Sequence, residues 1–189
     1  MIFLDKLRNI MLIIYYGYLI YKVLFTELSL SFYTYHSELF VTYMILDMIY
    51  IYFTKIKYDY ILHHSSTILL LTTIFSNTKN LSYINFNKFQ DFINIFVMTE
   101  VSTIFLTINI LGVKNTISKF LFFLSFSYFR IYKLSILILN QDNHDFITFC
   151  SCRSYFCNYT YYFSVYSLLF INFYWYYYLF KKLYKIIIN

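Results

Sequence analysis

Tyr60-Ile61-Leu62-His63-His64-Ser65-Ser66-Thr67-Ile68-Leu69-Leu70-Leu71-Thr72-Thr73-Ile74-Phe75 reads as a membrane-crossing helix with two adjacent histidines a few residues inside an otherwise apolar run. The apolar stretch just upstream carries a lone carboxylate, Asp47. An unpaired charge near the bilayer centre costs at least ~2.5–3.5 kcal/mol, so ionisable residues at such depth turn towards a polar cavity or towards one another. These three side chains are where the sequence points to chemistry.

Composition makes the bilayer the relevant solvent. Hydrophobic residues are 60% of the chain and charged residues 13%, and mean hydropathy is positive. Too little polar surface remains to cover a water-soluble globule of 189 residues. The bias towards Ile, Phe, Tyr, Asn and Lys, with no Pro and 2 Gly, is also what an AT-rich coding sequence produces. An individual aromatic therefore carries little functional weight, and its default role is packing or lipid contact.

Roughly 17–25 apolar residues cross a bilayer core, and six stretches qualify as spans: Ile10–Phe25, Glu38–Phe53, Tyr60–Phe75, Phe92–Leu111, Ile117–Leu139 and Tyr161–Phe180. None alternates with the two-residue period of a membrane barrel, and in lipid a helix satisfies its own backbone hydrogen bonds. The predicted fold class is all-α, a polytopic membrane bundle of about six helices forming one domain over residues 1–189. Gly17 and Gly112 are too few to organise it through glycine-mediated helix contacts.

The cations orient the six spans. Lys6, Arg8, Lys55, Lys57, Lys114, Lys119, Lys181, Lys182 and Lys185 fall on one side, against Lys22, Lys79, Lys88 and Arg153 on the other. Nine against four predicts both termini in the cytosol. The net charge of +6 is dispersed over short loops without a continuous basic face, which excludes nucleic acid as a partner. Trp175 and Tyr176 to Tyr178, followed by Lys181, Lys182 and Lys185, read as an interfacial aromatic belt with a cytosolic flank. The first apolar stretch has no small-residue cleavage site after it and is kept as a span rather than a signal peptide. No phosphate-cradling glycine loop, nucleophile elbow or internal repeat is present.

Depth gathers the scattered polar residues. At about 1.5 Å per residue from the cytosolic helix ends, His63 and His64 lie roughly 5 Å in, Asp47 roughly 10 Å, Glu100 roughly 16 Å and Arg130 roughly 20 Å. Four spans thus offer ionisable groups to one half of the membrane, where a single wet cavity opening to the cytosol is expected. Thr67, Ser102 and Thr103 are placed to complete its hydrogen bonding. His63 and His64 point about 100° apart on a helix, so only one of them is expected to face that cavity squarely.

Three runs resemble the TLC domain, the family of ceramide synthases and the smaller TLC-domain-containing transmembrane proteins. They are Tyr43-Met44-Ile45-Leu46-Asp47, then Asp59 to Thr67 with the His63-His64 pair, then Glu100-Val101-Ser102-Thr103 continuing to Asn109. Phe123-Leu124-Ser125-Phe126 leading to Arg130, and Trp175 before a lysine-rich end, extend the likeness over about residues 36–185. The resemblance implies helices around a central lipid tunnel, in the endoplasmic reticulum membrane. It also implies transfer of a fatty acyl group, with acyl-CoA as co-substrate and no bound cofactor. His63 or His64 would then be general base or acyl-accepting nucleophile, with Asp47 or Glu100 orienting the imidazole.

Ceramide synthases carry a His-Asp-x-x-Asp run where this chain has Thr99, Glu100 and Thr103. Its Glu-x-Ser-Thr form looks more like the TLC-domain-containing transmembrane branch, whose members are linked with membrane phospholipid composition. Membrane lipid is the expected partner on either branch, and a homodimer is the assembly to test for. The alternative function is non-catalytic lipid binding that regulates lipid composition.

Plainer structural roles stand beside these. Asp47 and the histidines can form a helix-to-helix clamp, worth about 0.6 kcal/mol on average, and Arg130 can pair with Glu100 as a structural bridge. Cys150, Cys152 and Cys157 fall in a connection on the non-cytosolic side, where any two can form a disulfide. Their spacing lacks the paired pattern of a zinc site even with His144, so no metal is expected. Asn80-Leu81-Ser82 and Asn158-Tyr159-Thr160 match the glycosylation acceptor pattern.

Overall fold

A computed structural model describes residues 2–26, 28–54, 57–75, 83–112, 116–139 and 155–188. Among these residues all regular structure is helical. The cysteine connection through Arg153, including His144, lies outside the described residues, as do Asn80-Leu81-Ser82 and the side chains of Cys157 and Asn158.

Among the described residues eight α-helices follow one another, with one π-helical stretch between the sixth and the seventh. They are α1 (Ile2–Phe25), α2 (Leu30–Thr54), α3 (Tyr58–Phe75), α4 (Tyr83–Met98), α5 (Glu100–Ile110), α6 (Thr116–Ser125), the π segment (Phe126–Lys133), α7 (Leu134–Leu139) and α8 (Tyr155–Ile188). Helical hydrogen bonding continues from α4 through Thr99, whose N–H donates to the carbonyls of Ile95 and Phe96 at 3.1 and 3.2 Å. After α5 the chain turns at Gly112, which adopts a φ of 109° that a side chain would disfavour.

Four described segments are long and apolar enough to cross a membrane: Asp5–Phe25, Leu30–Thr54, Gln90–Ile110 and Thr116–Leu139. They coincide with four of the six expected spans and mark the chain as an α-helical membrane protein. The stretches Tyr60–Phe75 and Tyr161–Phe180 are also helical, within α3 and α8, but are not among these four. Asp59 and the two histidines lower the apolarity of α3, and tyrosines do so along α8.

The burial pattern of α2 has the same origin. Its buried residues are Tyr33, Ser37, Phe40, Met44, Asp47 and Ile51, a seam repeating every three or four positions. The opposite side exposes Leu39, Ile45, Leu46, Ile49 and Phe53. A helix in water puts its polar residues outside. Here Ser37 and Asp47 are inside and leucines outside, as expected where the surrounding medium is hydrocarbon.

The chain divides into two compact units. The first comprises Met1–Leu28, Gln90–Leu137 and Tyr178–Asn189; the second comprises Ser29–Phe89 and Ile138–Tyr177. In the first unit α1 packs on α5, and α5 packs on α6 and the π segment. In the second, α2 packs along α3, and α8 reaches α3 through Trp175 and Asp59.

Candidate functional site

The histidine pair sits near the start of α3, just over one turn past Asp59, and both imidazoles are buried. His64 turns towards α2, where its Nε2 lies 2.9 Å from Oδ2 of Asp47. Asp47 belongs to the buried seam of α2, so helix packing brings the carboxylate to the ring. With Asp47 as a carboxylate, which only accepts hydrogen bonds, Nε2 is the donor, and in the neutral ring that tautomer leaves the lone pair on Nδ1. His64 Nδ1 is itself buried and without a hydrogen-bond partner.

His63 takes the other direction. Its ring lies 5.2 Å from that of Trp175, and Trp175 also meets Tyr60 at 5.4 Å. The indole N–H of Trp175 donates to Oδ2 of Asp59 at 2.8 Å, which fixes the ring against the start of α3. Lys57 lies over the Tyr60 ring at 4.7 Å. The expected 100° divergence of the histidines thus separates a carboxylate-bound ring from one held among aromatics.

Trp175 is the contributor that the reading of the chain missed. It stands in an aromatic run where composition makes every aromatic look alike, and its distance of 116 residues from Asp59 hides the contact. Thr67, expected to line the site, is fully buried one turn beyond the histidines, and so is its neighbour Ser66. Leu62, Tyr162, Phe163, Tyr166 and Phe170 line an open groove of about 440 Å³ between α3 and α8.

Glu100, Ser102, Thr103 and Arg130 come together in the other unit. Arg130 Nη2 donates to Oε1 of Glu100 at 3.2 Å and to Oγ1 of Thr103 at 2.9 Å. Its Nε donates to Oγ of Ser102 at 2.8 Å and to the carbonyl of Thr99 at 3.3 Å. The π segment carries this residue: Phe126, Arg130 and Leu134, four apart, are all buried. The wider i→i+5 winding suits a side chain that must turn inward among polar partners. Glu100 is thereby engaged with a cation, and the guanidinium is held at both Nε and Nη2.

The eight candidate residues therefore fall into two clusters, one in each unit. Asp47, His63, His64 and Thr67 belong to the second, and Glu100, Ser102, Thr103 and Arg130 to the first. Comparison with protein-family models, curated proteins and solved structures finds no match.

Proposed function

We propose that this chain is a multi-pass membrane protein of the TLC type that binds membrane lipid and transfers a fatty acyl group onto it. The observation that carries the reading is the buried bond between His64 Nε2 and Asp47 Oδ2, 2.9 Å long, on two helices with apolar exteriors. A carboxylate that binds one nitrogen of an imidazole leaves the other as a base and stabilises the imidazolium formed when that base takes a proton. Two of the three runs that carry the family likeness supply this pair, and the third supplies the Glu100, Ser102 and Thr103 contacts of Arg130.

In the proposed reaction the hydroxyl oxygen or amine nitrogen of an acceptor lipid attacks the carbonyl carbon of an acyl-CoA thioester. His64 Nδ1 takes the proton that the acceptor loses. The tetrahedral intermediate collapses with cleavage of the C–S bond, and the departing thiolate recovers the proton from the imidazolium. The products are an ester or amide and free CoA thiol. In this reading α3 and α8 complete a six-helix bundle around the lipid, with both termini in the cytosol and the endoplasmic reticulum membrane as the location.

A second reading, lipid binding without turnover, is favoured by one observation. Glu100 is bound to Arg130 inside a polar network that serves as a brace between α5 and the π segment. Purification of the full chain in detergent, incubation with acyl-CoA and mass spectrometry of the lipids decides between the two. Acyl transfer that is lost in His64→Ala, with folding intact, is the expected result. Retained lipid with no transfer to a panel of hydroxyl and amine lipids would overturn it in favour of the second reading.

A further inference from the structure

Many serine and threonine hydroxyls among the described residues share a habit. Thr26, Thr34, Thr42, Thr54, Thr99, Thr107 and Ser164 each donate to a carbonyl of the preceding turn. On α3 itself Ser65 donates to the carbonyl of Leu62, and Thr72 to that of Ile68. In an apolar medium this back-bonding is the ready way to satisfy a hydroxyl.

Ser66 and Thr67, like Ser135 on α7, depart from it. Both residues are wholly buried, at 0% exposure, and neither hydroxyl has a hydrogen-bond partner. His64 Nδ1 is in the same condition three residues before Thr67. Residues three or four apart are neighbours on a helix, so Thr67 lies between the rows of His63 and His64, and Ser66 lies in the row beside His63. Three polar atoms within four residues are thus buried without partners, each at a cost of about 1–3 kcal/mol unless something meets it.

We propose that His64 and Thr67 bind the headgroup of a neutral lipid bearing a free hydroxyl and an ester carbonyl. The lipid hydroxyl donates to His64 Nδ1, and the Thr67 hydroxyl, one turn on and on the same side of α3, donates to the carbonyl oxygen. A hydroxyl bound in this way is the acceptor whose proton His64 removes, so the inference rests on the acyl-transfer reading and specifies its acceptor. Charge complementarity sets the class. The carboxylate of Asp47 lies 2.9 Å from the His64 ring and opposes a phosphate or carboxylate headgroup. Thr67 offers a hydrogen bond without charge.

The test is binding of 1-monooleoylglycerol to the full chain in detergent, followed by thermal unfolding without acyl-CoA, beside 1-oleoyl lysophosphatidic acid. Monooleoylglycerol is expected to stabilise the wild-type chain by mass action. Thr67→Val should weaken its binding about ten-fold, the loss of one buried hydrogen bond, while Thr67→Ser retains it. Without lipid, Thr67→Val should be as stable as the wild type or more so, because it removes an unpartnered hydroxyl. Undiminished binding in Thr67→Val, equal stabilisation by lysophosphatidic acid, or destabilisation of lipid-free Thr67→Val would each overturn the proposal. Binding that meets these expectations without any acyl transfer supports the headgroup site and counts against the transfer reaction alone.

Discussion

Trp175 and Asp59 meet at 2.8 Å across 116 residues of sequence, indole N–H to carboxylate oxygen. The contact ties α8 to the first turn of α3 and presents an indole face to His63 at 5.2 Å. A charge-assisted hydrogen bond from a partly buried donor contributes about 1.5–3 kcal/mol. Trp175→Phe keeps most of the ring and removes the donor, and Asp59→Ala removes the acceptor. Each is expected to lower the unfolding temperature, and the double variant to lose less than the sum. A double-mutant cycle followed by thermal unfolding in detergent measures the coupling, expected at about 1 kcal/mol or more.

Asp47→Asn tests the role of charge at His64. The amide is nearly isosteric and its oxygen still accepts from Nε2, so the buried contact of α2 with α3 is expected to persist. What disappears is the negative charge that stabilises a protonated ring. Acyl transfer should fall by about 10²–10⁴-fold, with the unfolding temperature almost unchanged. A product assay and a melting curve on the same preparation check both halves.

Glu100 and Arg130 form a buried ion pair, 3.2 Å apart, with side chains 9% and 6% exposed. Removing one partner leaves the other as an uncompensated buried charge, which costs about 3–5 kcal/mol. Arg130→Met and Glu100→Ala are each expected to unfold or aggregate on detergent extraction, whereas Arg130→Met with Glu100→Gln recovers much of the loss. Arg130→Lys should not substitute well, since one ammonium cannot reproduce the separate Nε and Nη2 contacts with Ser102 and Thr103. Gel filtration and thermal unfolding of the four variants give the ranking.

Met44 and Leu46 lie two residues apart on α2 with opposite environments, 3% and 61% exposed. Met44→Ala opens a cavity in the seam and should destabilise by about 2–5 kcal/mol. Leu46→Ala exchanges one apolar group for another against hydrocarbon or detergent and should change the unfolding free energy by under about 0.5 kcal/mol. Unfolding in a denaturing detergent series separates the two.

Apolar runs without proline set the helices, because backbone satisfaction in lipid leaves few alternatives. Gln90–Ile110 and Thr116–Leu139 can therefore be read as crossing segments from composition, and both are helical with brief departures at Thr99 and the π segment. The isolation of Asp47, His63, His64, Glu100 and Arg130 among apolar neighbours was equally legible, because unpartnered polar groups in hydrocarbon are costly. Trp175 gave no such signal. An aromatic in a run of aromatics has no cost that marks it out.

The amino-acid sequence alone determined the helical class, the membrane character and the short set of polar residues that needs an explanation. Tertiary structure decided the partnerships. It gave His64 rather than His63 to Asp47, bound Trp175 to Asp59, closed Glu100 on Arg130 and left Thr67 and Ser66 buried without partners. The physical reason is rotational. Hydropathy reports how much of a helix is apolar, and a helix apolar on every side can turn about its axis with little change in that quantity. Which way Asp47 or His64 points is settled only by the side chains packed against it.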